Sequence, residues 1–269
     1  MTLGLRRDEA GDRFRVYAIR YASRDGVRAQ HFHHWTSQYA EPHPTAYYIW
    51  LLRSADRTIL VDTGMSRRRA DAVTQIAYEG TPAELLGRLG VAPDEVDTVI
   101  LSHLHYDHAG TTADFPRATI HVQRTELDYW EGPVAARNHL ESWLSDPEDR
   151  EVIRSTASER VVLGTGDVEV APGVSAHLVG GHTPGMQVVR VQTAEGVVVI
   201  ASDASHYYEN IEEDRPFAIL HDVPGTYAAF DRIAELAGQS PIIVPGHDPL
   251  VLERHPRLPD SAIDVAVIA

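Results

Sequence analysis

Apolar residues fall along the chain in short runs, broken every few residues by glycine, proline or charge. "RFRVYAIRYA" (13–22) and "ATIHVQ" (118–123) are rich in β-formers and predict strands. "AYYIWLLR" (46–53) and "RTILVDTG" (57–64) predict two more, joined by the polar turn "SADR". "VDTVILSH" (96–103) and "SPIIVPGH" (240–247) read as buried strands. "GDVEVAPGVSAHLVGG" and "MQVVRVQTAEGVVVIASD" (166–181 and 186–203) hold four short strands between turns. Helical spacing is rarer. "TPAELLGRLG" (81–90) has Thr81 to cap, Pro82 to start, Glu84 to close a capping box and Gly90 to stop. "PGTYAAFDRIAELAG" (224–238) predicts a second helix. Residues 124–160, rich in Trp, Glu and Arg, read as helical, either a lid or an inserted helical pair. Many strands with interspersed helices predict an α/β sandwich, sheets covered by helices, in a single domain over 1–269.

Composition narrows the chemistry. The 269 residues include no cysteine, which excludes a disulfide framework, a thiolate metal site and a Cys nucleophile. Any metal must be held by nitrogen and oxygen. The formal net charge of −15 repels phosphate backbones, so nucleic acid is not an expected partner. No apolar run is long enough to span a membrane, and "MTLGLRRDEAGDRF" lacks the apolar centre of a signal peptide. A cytoplasmic location is the expectation.

Against that background, "ILSHLHYDHAG" (100–110) stands out. His103, His105, Asp107 and His108 fall within six residues, directly after a predicted buried strand. Imidazole nitrogen and carboxylate oxygen suit Zn²⁺, and Mn, Fe or Co equally accept such donors. One zinc takes roughly four ligands, so four donors in one loop leave room for two metals if others arrive from elsewhere. His182, Asp203 and His247 each follow a predicted strand, which places all the candidates at strand ends. Burying so many ionisable groups without partners costs several kcal/mol each, so the joint pattern points to a metal centre. No G-x-S-x-G elbow, H-E-x-x-H helix or P-loop competes with it.

These motifs resemble the metallo-β-lactamase superfamily: H-x-H-x-D-H at 103–108, "GHTPG" at 181–185, Asp203 at a strand end, "PGH" at 245–247 and the earlier "VDTG" at 61–64. The likeness spans roughly residues 45–250. It implies an αββα sandwich with a dinuclear site, most simply two Zn²⁺. One metal would take His103, His105 and His182, the other Asp107, His108 and His247, with Asp203 bridging. Asp62 would accept a hydrogen bond from a ligand histidine. The implied activity is hydrolysis by a metal-bridging hydroxide, with Asp107 as proton shuttle.

Within the superfamily the chain resembles the quorum-quenching N-acyl homoserine lactonases in size, in ligand set and in "SDASHYYEN" (202–210). Asp203 sets it apart from antibiotic-hydrolysing members, His105 from flavodiiron proteins, and the short tail after His247 from glyoxalase II. A small-molecule lactone is the implied substrate. Other esters, thioesters or amides are the alternative, and a mononuclear iron dioxygenase of persulfide type a more distant one. One departure is clear. The lactonases place a Tyr three residues beyond the bridging Asp to contact the substrate carbonyl, and here that position is His206, followed by Tyr207 and Tyr208. Any of the three is a candidate for the contact. Aromatics in "HFHHWTSQYAEPHPTAYY" (31–48), with Tyr129, Trp130 and Trp143, would wall a pocket, or the latter three would pack a homodimer.

Overall fold

The computed structural model describes residues 5–9, 12–139, 141–239 and 242–269. In chain order the elements are β1 (Arg15–Arg24), β2 (Thr45–Arg53), β3 (Thr58–Val61), α1 (Arg67–Ala72), β4 (Ile76–Tyr78), α2 (Pro82–Arg88), β5 (Thr98–Ile100), α3 (Tyr106–Ala109), β6 (Thr119–Gln123), α4 (Arg124–Glu131), α5 (Pro147–Ser155), β7 (Val161–Gly164), β8 (Val168–Ala171), β9 (Val174–Leu178), β10 (Gln187–Thr193), β11 (Gly196–Ser202), α6 (Tyr208–Glu212), α7 (Val223–Ala237), β12 (Ile242–Pro245), α8 (Val251–Arg254) and β13 (Val265–Val267).

The strands form two mixed sheets. One runs β13-β1-β2-β3-β5-β6-β7, with β4 also paired to β1; the other runs β12-β11-β10-β9-β8. β2 shows why they stack. All nine of its residues are buried, and their alternation divides them between two cores. Tyr48, Trp50 and Leu52 meet Val189, Val191 and Ile200 of the second sheet. Tyr47, Ile49 and Leu51 face the other way, onto Leu85 and Leu86 of α2 and Leu127 and Trp130 of α4. On the far face of the second sheet, Val188 and Val199 are covered by Ala229 and Ile233 of α7. The layers are therefore helix, sheet, sheet, helix, as expected for an αββα sandwich.

Local chemistry decides the element ends. Thr81 caps α2 as expected: its hydroxyl accepts from Glu84 N at 3.3 Å and its own N–H donates to the Glu84 carboxylate at 2.8 Å. The strand expected over 57–64 stops at Val61, because Asp62 turns to φ 61°. The strand expected over 96–103 stops at Ile100, and the Ser102 N–H leaves the ladder to donate to Asp62 at 2.7 Å. The final strand begins at Ile242; the first two residues expected in it lie outside the described ones. Residues 124–160 are less helical than their composition suggests: α4 and α5 are separated by turns around Ala135–Arg137. Among the described residues no helix is long and apolar enough to cross a membrane.

Candidate metal centre

Every histidine and aspartate singled out at a strand end arrives at one edge of the sandwich. Asp62 follows β3, His103 and His105 follow β5, and Asp107 and His108 lie on α3. His182 sits between β9 and β10, Asp203 directly after β11, and His247 after β12. Three groups of donor atoms result, each within 4.8 Å: His103, His105, His182 and Asp203; Asp107, His108 and His247; and Asp203, His206 and His247, which overlaps the other two.

Asp203 joins the groups. Its Oδ1 lies 3.2 Å from His108 Nε2 and 3.0 Å from His247 Nε2. Its Oδ2 lies 3.4 Å from His182 Nε2 and 3.9 Å from His103 Nε2. Tight loops bring the pieces this close. A Cβ at Gly246 would stand 2.6 Å from Asp203 Oδ1, and one at Gly185 would stand 2.3 Å from the Glu126 backbone. That is the steric reason for glycine in "PGH" and "GHTPG". Ser202 and Asp62, at φ 45° and 61°, hold left-handed backbone to aim their neighbourhoods inward.

Tautomers are set from outside the cluster. The Nδ1–H of His182 donates to the Ile219 carbonyl and that of His247 to the Ala46 carbonyl, both at 2.8 Å. A carbonyl only accepts, so each Nε2 keeps its lone pair for the cluster. His108 Nδ1 donates to Asp62 Oδ2 at 2.8 Å. Ser102 donates to that same oxygen at 2.9 Å and accepts from His103 Nδ1 at 2.9 Å. Burial, and then the neighbouring imidazoles, hold His103 and His105 well below the ordinary histidine pKa, so both are neutral donors. Burial opposes charge on Asp203, but His108, His206 and His247 outweigh it and keep the carboxylate ionised.

The donor set fits divalent cations. His103 Nε2, His108 Nε2 and Asp203 Oδ1 are buried and make no hydrogen bond. Orphans of this kind cost ~1–3 kcal/mol each, and here they converge on common points rather than scattering.

Glu126 is a structural member of the site that sequence reading did not single out. Its fully buried carboxylate accepts from Leu104 N at 2.9 Å and Trp130 Nε1 at 2.7 Å through one oxygen. The other accepts from Thr183 Oγ1 at 2.7 Å and Gly185 N at 2.9 Å. One side chain thus ties the H-x-H loop to the loop carrying His182. Around the cluster a cleft is walled by Arg24, His31, Thr45, Tyr47, Tyr106, Trp143, Phe217 and Ile219. The 31–48 segment contributes, as do Trp143 and, behind His105 at 5.5 Å, Trp130.

His206 is in the cleft, its Nε2 2.9 Å from Asp203 Oδ2 and its ring stacked on Phe217 at 3.4 Å and 9°. Tyr207 and Tyr208 do not line it. The chain enters α6 there, so consecutive side chains diverge. The Tyr207 hydroxyl is 3.0 Å from Thr45 Oγ1, and Tyr208 packs into the core between the sheets.

The sequence profile of the "Metallo-beta-lactamase superfamily" matches residues 44–247. The chain belongs to the metallo-beta-lactamase superfamily. It is 32% identical to an N-acyl homoserine lactonase of Bacillus thuringiensis over 216 residues, 75% of this chain and 80% of that one. It is 30% identical to the N-acyl homoserine lactonase AiiB of Agrobacterium fabrum, over 74% of this chain and 78% of the other. A solved N-acyl homoserine lactone hydrolase, with the product N-hexanoyl-L-homoserine at its catalytic metal center, superposes with TM-score 0.74 and 27% identity, covering 92% of this chain and 98% of that one. With this family and this donor cluster, the protein is a metal-dependent hydrolase.

The cleft also has a pH-sensitive wall. His31 is 1% exposed, and burial followed by the charge of His43 pushes its pKa down to about 4. An unfolded histidine titrates near 6.5, so between those values the unfolded chain binds the extra proton. Stability from this group is complete above pH ~6.5 and is lost as pH falls toward 4, by up to roughly 3 kcal/mol. Denaturant melts at descending pH should show a shallower acid loss in His31→Phe than in the parent. Parallel curves would contradict this.

Proposed function

We propose that this hydrolase opens the lactone ring of N-acyl homoserine lactones, using two Zn²⁺ ions. His103, His105 and His182 would hold one, Asp107, His108 and His247 the other, and Asp203 both. The observation that carries the reading is Asp203, which turns one oxygen to each donor group. The identity with N-acyl homoserine lactonases supports the choice of substrate. Two cations supply a water ionisable near neutral pH and an electrophile for the carbonyl oxygen.

The protein's own groups do the rest. Asp107 Oδ2 lies 3.7 Å from His108 Nε2 and 3.8 Å from His247 Nε2, at the cleft side of the cluster. There it takes up the proton released on attack and returns it to the leaving alcohol. Phe217 fixes the plane of His206, whose Nε2–H donates to Asp203 Oδ2; once a cation takes up that oxygen, the N–H would turn to a carbonyl oxygen brought to the cluster. Tyr106, Ile219 and Trp143 offer apolar surface to an acyl chain.

His206→Phe keeps a ring on Phe217 and removes the donor, so kcat on homoserine lactones is expected to fall by about 10²-fold. His206→Tyr, the residue type of the resembling group, should recover most of it. An unchanged kcat in His206→Phe would take His206 out of the reaction. The function itself is tested by one panel on zinc-loaded and chelated protein: short- and long-chain homoserine lactones, simple γ- and δ-lactones, and an acyclic thioester. Fast, chelator-sensitive opening of the homoserine lactones is expected. Turnover of the thioester alone would replace the lactone reading.

A further inference from the structure

Three arginines follow one another at four-residue intervals along and just beyond β1, and two are neutralised. Arg20 pairs with Glu79 at 3.1 Å and with Asp264. Arg28 is gripped by both carboxylate oxygens of Glu209. The side chain of Arg24, between them, has no ion pair or hydrogen bond to any described residue; its Nε is buried without a partner, as are those of Arg20 and Arg28, but no carboxylate holds its terminal nitrogens.

Arg24 lines the cleft that holds the donor cluster. A β-bulge carries it there. The pairing of β1 with β2 steps from Arg20 opposite Tyr48 to Ala22 opposite Tyr47, leaving Tyr21 as the extra residue. Ala22 then packs in the same apolar cluster as Ile19 and Tyr21. Arg24, two residues on, follows that face to the cleft beside Tyr47 and Tyr106.

This half-buried guanidinium has given up hydration at Nε with no ion pair in return, and its terminal nitrogens stay open to the cleft. Acidic partners are not scarce in a chain with 39 Asp and Glu residues. The two carboxylates in the cleft, Asp107 and Asp203, form no ion pair with Arg24 and are committed to the histidines. The missing counter-ion is therefore best supplied from outside. A guanidinium receives a carboxylate through two parallel N–H donors, which fixes direction as well as charge.

We propose that Arg24 selects substrates whose acyl chain carries a carboxylate remote from the scissile carbonyl. This rests on the lactone reading above and narrows it to acid-ended acyl lactones.

The test is a matched pair: N-hexanoyl homoserine lactone and its counterpart with an adipoyl chain, equal in length but ending in a carboxylate. On the metal-loaded protein, kcat/KM should favour the acid-ended substrate by at least roughly tenfold, chiefly through KM. Added salt should shrink the preference. In Arg24→Met the ratio should fall to one or below, and Arg24→Lys should keep part of it, with thermal melts confirming that both fold. A parent ratio at or below one, or a ratio unmoved by Arg24→Met, overturns the proposal. The same comparison with aryl hexanoate and aryl adipate monoesters separates the two readings. Turnover of the esters alone removes the lactone and still reads out Arg24; lactone turnover without acid preference removes Arg24 and keeps the lactone.

Discussion

An Asp203→Asn protein should hold about one divalent cation per chain instead of two and lose at least ~10³-fold in kcat/KM. The reason is geometric. Asp203 Oδ1 serves His108 and His247 at 3.2 and 3.0 Å, while Oδ2 serves His182 and His206 at 3.4 and 2.9 Å. An amide keeps the shape but offers an oxygen to only one side, and its NH₂ group faces nitrogen lone pairs or a cation on the other. The carboxylate charge that offsets two dications also disappears. Folding should survive, because Asn is isosteric and the neighbours stay in place. Metal analysis beside steady-state kinetics checks the prediction; two tightly held cations with parent turnover would refute the bridging role.

Glu126→Gln is expected to have the second largest effect, without touching a metal donor. Four donors converge on this carboxylate, from Leu104, Trp130, Thr183 and Gly185. Burial lifts its pKa above the usual carboxylate range, and those four hydrogen bonds limit the rise. In the Gln variant one pair of donors meets an NH₂ group instead of an oxygen. Two buried hydrogen bonds are lost, at a cost of roughly 2–5 kcal/mol in stability. The loops carrying His103, His105 and His182 loosen together, and metal affinity should drop ~10–100-fold. Thermal melts and a metal titration read the two effects separately. A variant with parent stability and affinity would show that Glu126 only fills space.

The donor residues were legible in the sequence because they cluster: four lie within six residues, and each of the others follows a clear apolar run. Glu126 left no such trace. A single glutamate near the start of a helix has the look of a solvated surface residue, and its burial depends on the loop at 183–185 folding over it. Tyr47 sits mid-run in β2, where only the pairing of the sheet decides that its ring stands 5.0 Å from His247. Tyr207 and Tyr208 stand outside the cleft for the opposite reason. Nearness in sequence to Asp203 says nothing about direction once α6 begins to turn. The sandwich was legible from the many short strands with interspersed helices and its layer order from the resemblance; that β2 is buried on both faces only the structure shows. The extent of α4 and α5 was not legible, since charged residues and tryptophans occur as readily in the turns between them. The bulge at Tyr21 that brings Arg24 to the cleft depends on pairing with Tyr47 and Tyr48 and has no local signature.

Two-metal lactone hydrolysis is tested most directly by titrating Zn²⁺ into metal-free protein and following the initial rate of N-hexanoyl homoserine lactone opening by proton release. A negligible rate without metal and a rise that levels off at two equivalents per chain are expected. A plateau at one equivalent, or no ring opening at any loading, would contradict it.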